Sequence, residues 1–290
     1  MIAIRSITYN MKKDYSDEEL RLVEKCSRVW DSAYEEVHTQ RINLTPFSEP
    51  FSTSAFSKIT EICDRTSVRW FNVPVDLYKA ENPHEVLCSL KDLLTESGRA
   101  FGNIIGVKNK KIRPDFIEEY AWFINEVSKL DISGKDNFRV GFSVNIGYNC
   151  PFFPFTQSSG EQSFSIALEI AKDMNDVCKN ESFSGLEELR IKILERLMPQ
   201  IEKINCIANK VSEQCGIEFA GFDFSLAPSI DSAGSVITIL NSIGVYNFGK
   251  SGTMFATSFI TDILKYLAMK FKSVGFSGVM YSLLEDLEVC

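Results

Sequence analysis

The sequence predicts an α/β fold, and two observations carry that expectation. Segments with β-branched, alternating character recur between stretches with a 3.6-residue apolar period, the pattern of βα units rather than of an all-β or all-α chain. The 290 residues, 44% hydrophobic and 24% charged with 16 Gly and 9 Pro, can bury a full core and match neither a disordered nor a collagenous composition.

The elements follow in order. Ile2 to Tyr9 reads as a strand, and Ser16-Asp17-Glu18-Glu19 supplies a capping box for a helix carrying Leu20, Val23, Val29 and Trp30. Val37 to Leu44 and Val68 to Val75 read as strands around a short helix at Ser54 to Cys63. Asn82 and Pro83 cap and open a helix through Val86, Leu87, Leu90, Leu93 and Leu94, and Ala100 to Val107 returns as a strand. Pro114 opens the next helix. Phe138 to Ile146 follows as a strand, with Val140, Phe142, Val144 and Ile146 on one face and Arg139, Gly141, Ser143 and Asn145 on the other. Gly147 to Glu161, with three Phe and two Pro, reads as a packed loop. Ser184-Gly185-Leu186-Glu187 reads as another capping box and starts a long helix to Cys215, where Pro199 predicts a kink or break and Gly216 a stop. Ile217 to Ser225 is a strand, Ser235 to Ile243 an ambiguous apolar run, Thr253 to Phe271 a helix, and Gly278 to Leu284 a last short strand.

Charge and composition exclude several function classes. Thirty-one Lys and Arg against 39 Asp and Glu give a net charge of −8, which disfavours binding along a phosphate backbone, so no nucleic-acid partner is expected. The most apolar late stretch, Met254 to Phe271, is interrupted by Thr257, Asp262, Lys265 and Lys270, so no membrane span is expected. Met1-Ile2-Ala3-Ile4-Arg5-Ser6 does not read as a secretory leader, and a cytoplasmic location is expected. Eight cysteines are scattered without a CxxC pair, the spacing of buried reduced thiols rather than of a zinc site.

The only two histidines, His38 and His84, lack a neighbouring nucleophile signature, so no Ser/His/Asp triad is supported. Gly244-Val245-Tyr246-Asn247-Phe248-Gly249-Lys250-Ser251 satisfies the letters of a P-loop. That chemistry needs a strand ending at the first Gly and a tight nest of amides, which Val, Tyr and Phe suit poorly. In the rival reading Gly244 stops a helix at 235–243. The cluster Lys108, Lys110, Lys111 and Arg113 reads as a solvated turn.

Asp223 and Ser225 share one face at the carboxyl end of a strand that Pro228 terminates, and Ser143 and Asn145 occupy the same situation on their own strand. Ligands of α/β sheets bind at the carboxyl ends of strands, so these pairs predict one shared pocket. The same side chains could instead cap helices or satisfy loop amides.

Taken together, Ser143 to Gly147, the run Ile217 to Pro228 (IEFAGFDFSLAP) and the turn Gly249 to Thr253 (GKSGT) resemble the bacterial and archaeal family catalogued as domain of unknown function 711, also named UPF0210. The resemblance implies a barrel-like or strongly curved mixed sheet with outer helices, related to pyruvate formate-lyase, and a homodimer, with no assigned reaction or cofactor. It also implies that the P-loop letters are coincidental. Longer relatives continue past the point where this chain stops, so a single α/β domain over residues 1–290 is expected, lacking the C-terminal part of those relatives, and closure of the barrel within one chain stays an open alternative. Glycyl-radical chemistry is unsupported, because the nearest string to its motif is Arg139-Val140-Gly141-Phe142 in mid-chain, and a shared fold does not carry a mechanism.

The reading is therefore a small-molecule-binding protein, with Asp223 as candidate general base and Ser143, Asn145, Gly147, Ser225, Lys250, Ser251, Gly252 and Thr253 lining the pocket. The amides of Gly252 and Thr253 at a helix start would favour an anionic group on the ligand. A nucleotide-binding P-loop protein and a non-catalytic homodimeric interaction protein, docking through Phe152, Phe153 and Phe155, are the alternatives.

Overall fold

A run of crossovers through helices organises the chain. The structure, a computed structural model, describes residues 1–108, 111–229, 233–282, 285, 286 and 288. Strand β1 (Ala3–Asn10), helix α1 (Asp17–Ala33), β2 (Gln40–Asn43), α2 (Ser57–Arg65), β3 (Val68–Asp76), α3 (Pro83–Glu96) and β4 (Ala100–Lys108) alternate as expected. After the two-residue β5 (Lys111–Ile112) come α4 (Pro114–Val127), β6 (Val140–Val144), β7 (Ser163–Glu169), α5 (Ala171–Asn180) and α6 (Leu186–Cys215). The described chain continues with β8 (Glu218–Asp223), α7 (Val236–Ser242) and α8 (Thr253–Lys270).

The sheet runs in the order β6-β4-β3-β2-β1-β7-β8, with β5 folded back on the end of β4. The first five of these strands are mutually parallel, β7 is antiparallel to β1, and β8 is parallel to β7. Parallel neighbours require crossover connections, which α1 to α4 supply. One face is apolar: Ile7, Tyr9, Ile42, Phe71, Val73, Ile104, Phe164, Ile166 and Phe222 are buried in a single core with the inward stripes of the helices. Trp30 of α1 meets Phe164 edge to face, and Tyr120 of α4 lies against Phe142.

The opposite face is polar. Alternation brings Ser6, Thr8 and Asn10 of β1, Asn43 of β2, Asn72 of β3, Asn103 of β4 and Ser163 and Ser165 of β7 to it, all buried. Beyond β8 the chain at 272–280 runs alongside as an interrupted strand. Phe222 donates to the Lys272 carbonyl at 2.9 Å, Leu226 to that of Gly278 at 2.9 Å, and Met280 back to Leu226 at 2.9 Å. The sheet does not close, yet residues from both of its margins, Asn137, Phe138 and Val140 on one side and Met280 to Ser282 on the other, wall one cavity, so it is strongly curved.

Several boundaries differ from the sequence reading. Pro199 does not break α6, which is continuous from Leu186 to Cys215: the proline is exposed, and Leu189, Ile193, Leu197, Ile201 and Ile204 keep a buried stripe on both sides of it. Ser184 binds Glu188 instead of closing the expected box with Glu187, and Gly185 takes the cap position. The sequence reading assigns no element between 162 and 183, where β7 and α5 stand. The expected last strand reduces to a bridge between Val279 and Leu226, and Leu283 and Leu284 lie outside the described residues.

Gly221 is held at φ +135, and a β-carbon there would sit 2.8 Å from the Lys272 carbonyl oxygen. Gly221→Ala should cost roughly 1–3 kcal/mol through backbone strain and displacement of the 272–274 edge. The midpoint of urea unfolding checks this, and an unchanged midpoint would contradict it.

Candidate functional site

The polar face is roofed by the loop at 147–162, and asparagines fasten it. Asn72 and Asn103 both donate from Nδ2 to the carbonyl of Thr156, at 2.9 and 3.0 Å. Asn43 donates to Asn10 Oδ1 at 2.9 Å and to Thr156 Oγ1 at 3.2 Å. Ser158 closes the roof over β1 and β2 through the carbonyls of Met11 and Leu44, at 2.6 and 2.9 Å. Gly141 lacks a side chain where Phe155 packs: a β-carbon there would lie 2.6 Å from the ring. The Phe153–Pro154 peptide is cis.

Between this roof and the β1, β2, β7 and β8 end of the sheet lies a cavity of about 580 Å3, in the size range of small-molecule sites. Arg5, Ser6, Arg41, Phe152, Phe153, Phe155, Ala167, Asp223, Ser225 and Tyr281 are among its walls. A larger hollow of about 830 Å3 lies against the outer side of α1, among Arg21, Glu24, Lys25 and Arg28, and holds none of the groups discussed below.

Arg41 is the unusual wall. Its Nε is buried without a hydrogen-bond partner, and its guanidinium has no ion pair or hydrogen bond among the described residues. It is held only by ring faces, 5.0 Å from the centroid of Phe153 and 5.6 Å from that of Trp70. Burial, with Arg5 and Arg69 adding like charge, brings its pKa down to about 10, so it remains a cation at neutral pH. Arg5 donates to the Pro228 carbonyl at 3.2 Å, and its one acidic neighbour among the described residues is distant, Glu285 at 4.0 Å. Nearby on the same face, the hydroxyls of Ser6, Thr8 and Ser165 are buried and have no partner among the described residues. Thr8 stands opposite both Arg41 and Ser165 in the sheet register. Buried polar atoms without partners are uncommon, and a cluster of them on one face calls for an explanation.

Asp223 stands on the far wall, only 3% exposed. Its Oδ1 accepts from the Ser225 amide and hydroxyl at 3.1 and 2.7 Å and from the Ser277 amide at 2.9 Å, whereas Oδ2 takes no hydrogen bond among the described residues. Burial raises its pKa above the ordinary carboxylate value, and the bonds from Ser225 and Ser277 oppose that rise. Cys150 shares the neighbourhood of Gly275 with Asp223, and its thiol is pushed up to about 12 by burial and by that carboxylate. Such a thiol is neutral and a poor nucleophile.

The model of the family described as "Uncharacterised ACR (DUF711)" matches residues 3–290. The chain belongs to this family. A UPF0210 protein of Oleidesulfovibrio alaskensis is 21% identical over 290 residues, which cover 92% of this chain and 63% of its own length. A UPF0210 protein of Sulfurisphaera tokodaii is 25% identical over 195 residues, 66% of this chain and 43% of its own. Another, of Pyrobaculum islandicum, is 32% identical over 83 residues, 28% of this chain and 18% of its own. The chain thus spans less than two thirds of the length of these curated relatives.

In this DUF711 chain the residues expected from sequence separate into groups. Asp223 and Ser225 line the cavity together. Ser143, Asn145 and Gly147 are not among its walls, although Val140 at the start of the same strand is: the Ser143 hydroxyl turns to the Ile104 carbonyl, and Asn145, in a left-handed turn at φ 51, and Gly147 are exposed. Lys250, Ser251 and Gly252 are also exposed, and Thr253, though buried, accepts at Oγ1 from the Gly249 amide of its own turn. These residues are therefore not brought to Asp223 as the sequence reading expected. The P-loop geometry is absent as well, because helix α7, not a strand, leads into Gly244. His38 and His84 stand outside the cavity, beside Glu169 and Glu119. Phe152, Phe153 and Phe155 are half-buried and serve as cavity walls. Lys110 of the basic cluster lies outside the described residues, and Arg113 pairs with Asp115. Among the described residues no group of three or more His, Cys, Asp or Glu is arranged for a metal ion, and no helix is long and apolar enough to cross a membrane.

Sequence reasoning missed Arg5 and Arg41. The available signal was an arginine between Gln40 and Ile42 in a predicted strand, at a position that alternation assigns to the face of Asn43.

Two outcomes are expected. Folded Asp223 holds its proton more tightly than the unfolded chain does, so its contribution to stability is full below the ordinary carboxylate pKa and is lost as pH rises through the folded value. Asp223→Asn retains an acceptor for Ser225 and Ser277 without the titration. Its stability relative to the unsubstituted chain should therefore increase from about pH 4 to about pH 8. Denaturant unfolding across that range checks the sign. Magnesium ATP and GTP should not raise the thermal midpoint through the turn at Gly244 to Ser251, and a rise in calorimetry that Lys250→Ala abolishes would restore the nucleotide reading.

Proposed function

We propose that the cavity binds a small organic anion, with the carboxylate or phosphate of the ligand held by Arg41 and Arg5 and assisted by the Ser6 hydroxyl. The observation that carries this is Arg41: a cation lining a cavity with a buried Nε and no partner among the described residues. An arginine fork presents several donors in a plane and suits bidentate recognition of carboxylate or phosphate. Two neighbouring guanidiniums repel until an anion lies between them, which is where ligand binding gains free energy.

Asp223, with one oxygen that takes no hydrogen bond among the described residues and a raised pKa in the same cavity, would be the group to accept a proton from the ligand if the protein is an enzyme. A homodimer in the cytoplasm is part of this reading; the seven described cysteines, all free, suit a reducing compartment. The third reading, a non-catalytic docking loop, loses its motive where Phe152 and Phe155 stack on each other within the chain.

Arg41→Met tests the proposal, because it keeps an apolar stem against Trp70 and Phe153 and removes the charge. A small carboxylate present at a hundredfold excess over its dissociation constant should stabilise the unsubstituted chain by about 2.7 kcal/mol. The variant should lose that effect and, freed of a cation whose buried Nε has no partner among the described residues, should itself be more stable to denaturant by about 1 kcal/mol or more. Equal responses of both chains to carboxylates would sink the reading.

A further inference from the structure

The anion site proposed above has a charged counterpart in the same cavity, and the two together constrain the ligand further. Arg41 on β2 and Asp223 on β8 face one cavity but stand three strands apart, through β1 and β7. In register Arg41 is opposite Thr8 and Thr8 opposite Ser165, whereas Asp223 is opposite Ala167, farther along the strands. With ~4.8 Å between strands and ~3.4 Å per residue for the two-residue offset, their backbones are roughly 16 Å apart along the sheet. The Arg41 guanidinium does not close this gap, since it lies over Trp70 of β3, on the side away from β8, and over Phe153.

Each charge has binding capacity left over. No described group neutralises Arg41, and Asp223 Oδ2 accepts from none. The wall between them is Ala167, Phe152 and Phe155, with the Ser6 hydroxyl unpartnered among them. A simple dianion would satisfy the arginine and be repelled by Asp223. An α-amino acid, whose two charges sit on adjacent carbons, reaches one end only.

We propose that the ligand is an extended zwitterion, with its anionic group at Arg41, an ammonium group at Asp223 Oδ2 and an apolar or peptide-like span of about 10 Å between them, the length of three extended residues. This rests on the anion-binding reading of the cavity. The same chemistry is presented by a tripeptide with free termini and by an ω-amino carboxylate.

Titration calorimetry on the whole chain tests it, with trialanine, ω-aminooctanoate, octanoate, octylamine and alanine as probes. Trialanine or ω-aminooctanoate should bind at least tenfold more tightly than octanoate, octylamine or alanine, and which of the two wins separates a peptide ligand from an amino-acid one. Asp223→Asn should reduce the zwitterion to the affinity of octanoate and leave octanoate unchanged, and Arg41→Met should abolish both. Octanoate binding the unsubstituted chain as tightly as both zwitterions would overturn the zwitterion and leave the anion site standing. Failure of every carboxylate to bind, or binding that Arg41→Met leaves intact, would overturn both. The comparison among probes needs no substitution, so it decides even where a variant fails to fold.

Discussion

The carbonyl oxygen of Thr156 is the point on which the interior depends. Two asparagines from neighbouring strands donate to it, and a third binds the hydroxyl of the same residue. A buried amide left unpaired costs about 1–3 kcal/mol, so the asparagine row and the loop above it are each expensive without the other. That mutual dependence seats a loop rich in phenylalanine and proline against a polar sheet face. The cavity is what remains where the asparagines give way to Arg41, Arg5 and Asp223 at the β1, β2, β7 and β8 end of the sheet.

The two faces of the sheet thus do different work. The helix side is packed with aliphatic and aromatic groups in one continuous cluster and supplies stability without chemical specificity. The inner side holds hydroxyls and a guanidinium without partners among the described residues, groups that make a core less stable than an apolar one of equal volume. Local rules are broken most often where a ligand supplies the missing partners. The cluster of such departures on β1, β2 and β7, and their rarity among the helix-facing strand residues, is the physical basis for assigning function to the inner face.

Much of the architecture was legible beforehand. The capping box at Ser16 forms as read, Asn82 caps α3 ahead of Pro83, and β3, α3, β4 and α8 lie within two residues of their expected limits. These signals are local, set by the hydrogen bonds and periods of a few residues. The element at Ser163 to Glu169 escaped although Phe164, Ile166 and Leu168 alternate with Ser163, Ser165 and Ala167, because the aromatic loop before it masked its start. Of the pocket, Asp223 and Ser225 were legible because both sit on one strand and its exit. Ser143 and Asn145 were grouped with them on the rule that ligands gather at strand ends, and that rule does not say which strands are neighbours.

What the sequence determined on its own was the alternation of strands and helices, the polar character of one strand face and the acidic residue at the end of β8, all consequences of side-chain period and backbone preference. Only the tertiary structure decided that β7 inserts antiparallel between β1 and β8 and thereby brings Arg5 and Arg41 to the cavity of Asp223. Strand order is set by which apolar faces pack best across distant parts of the chain. No window of neighbouring residues contains that competition.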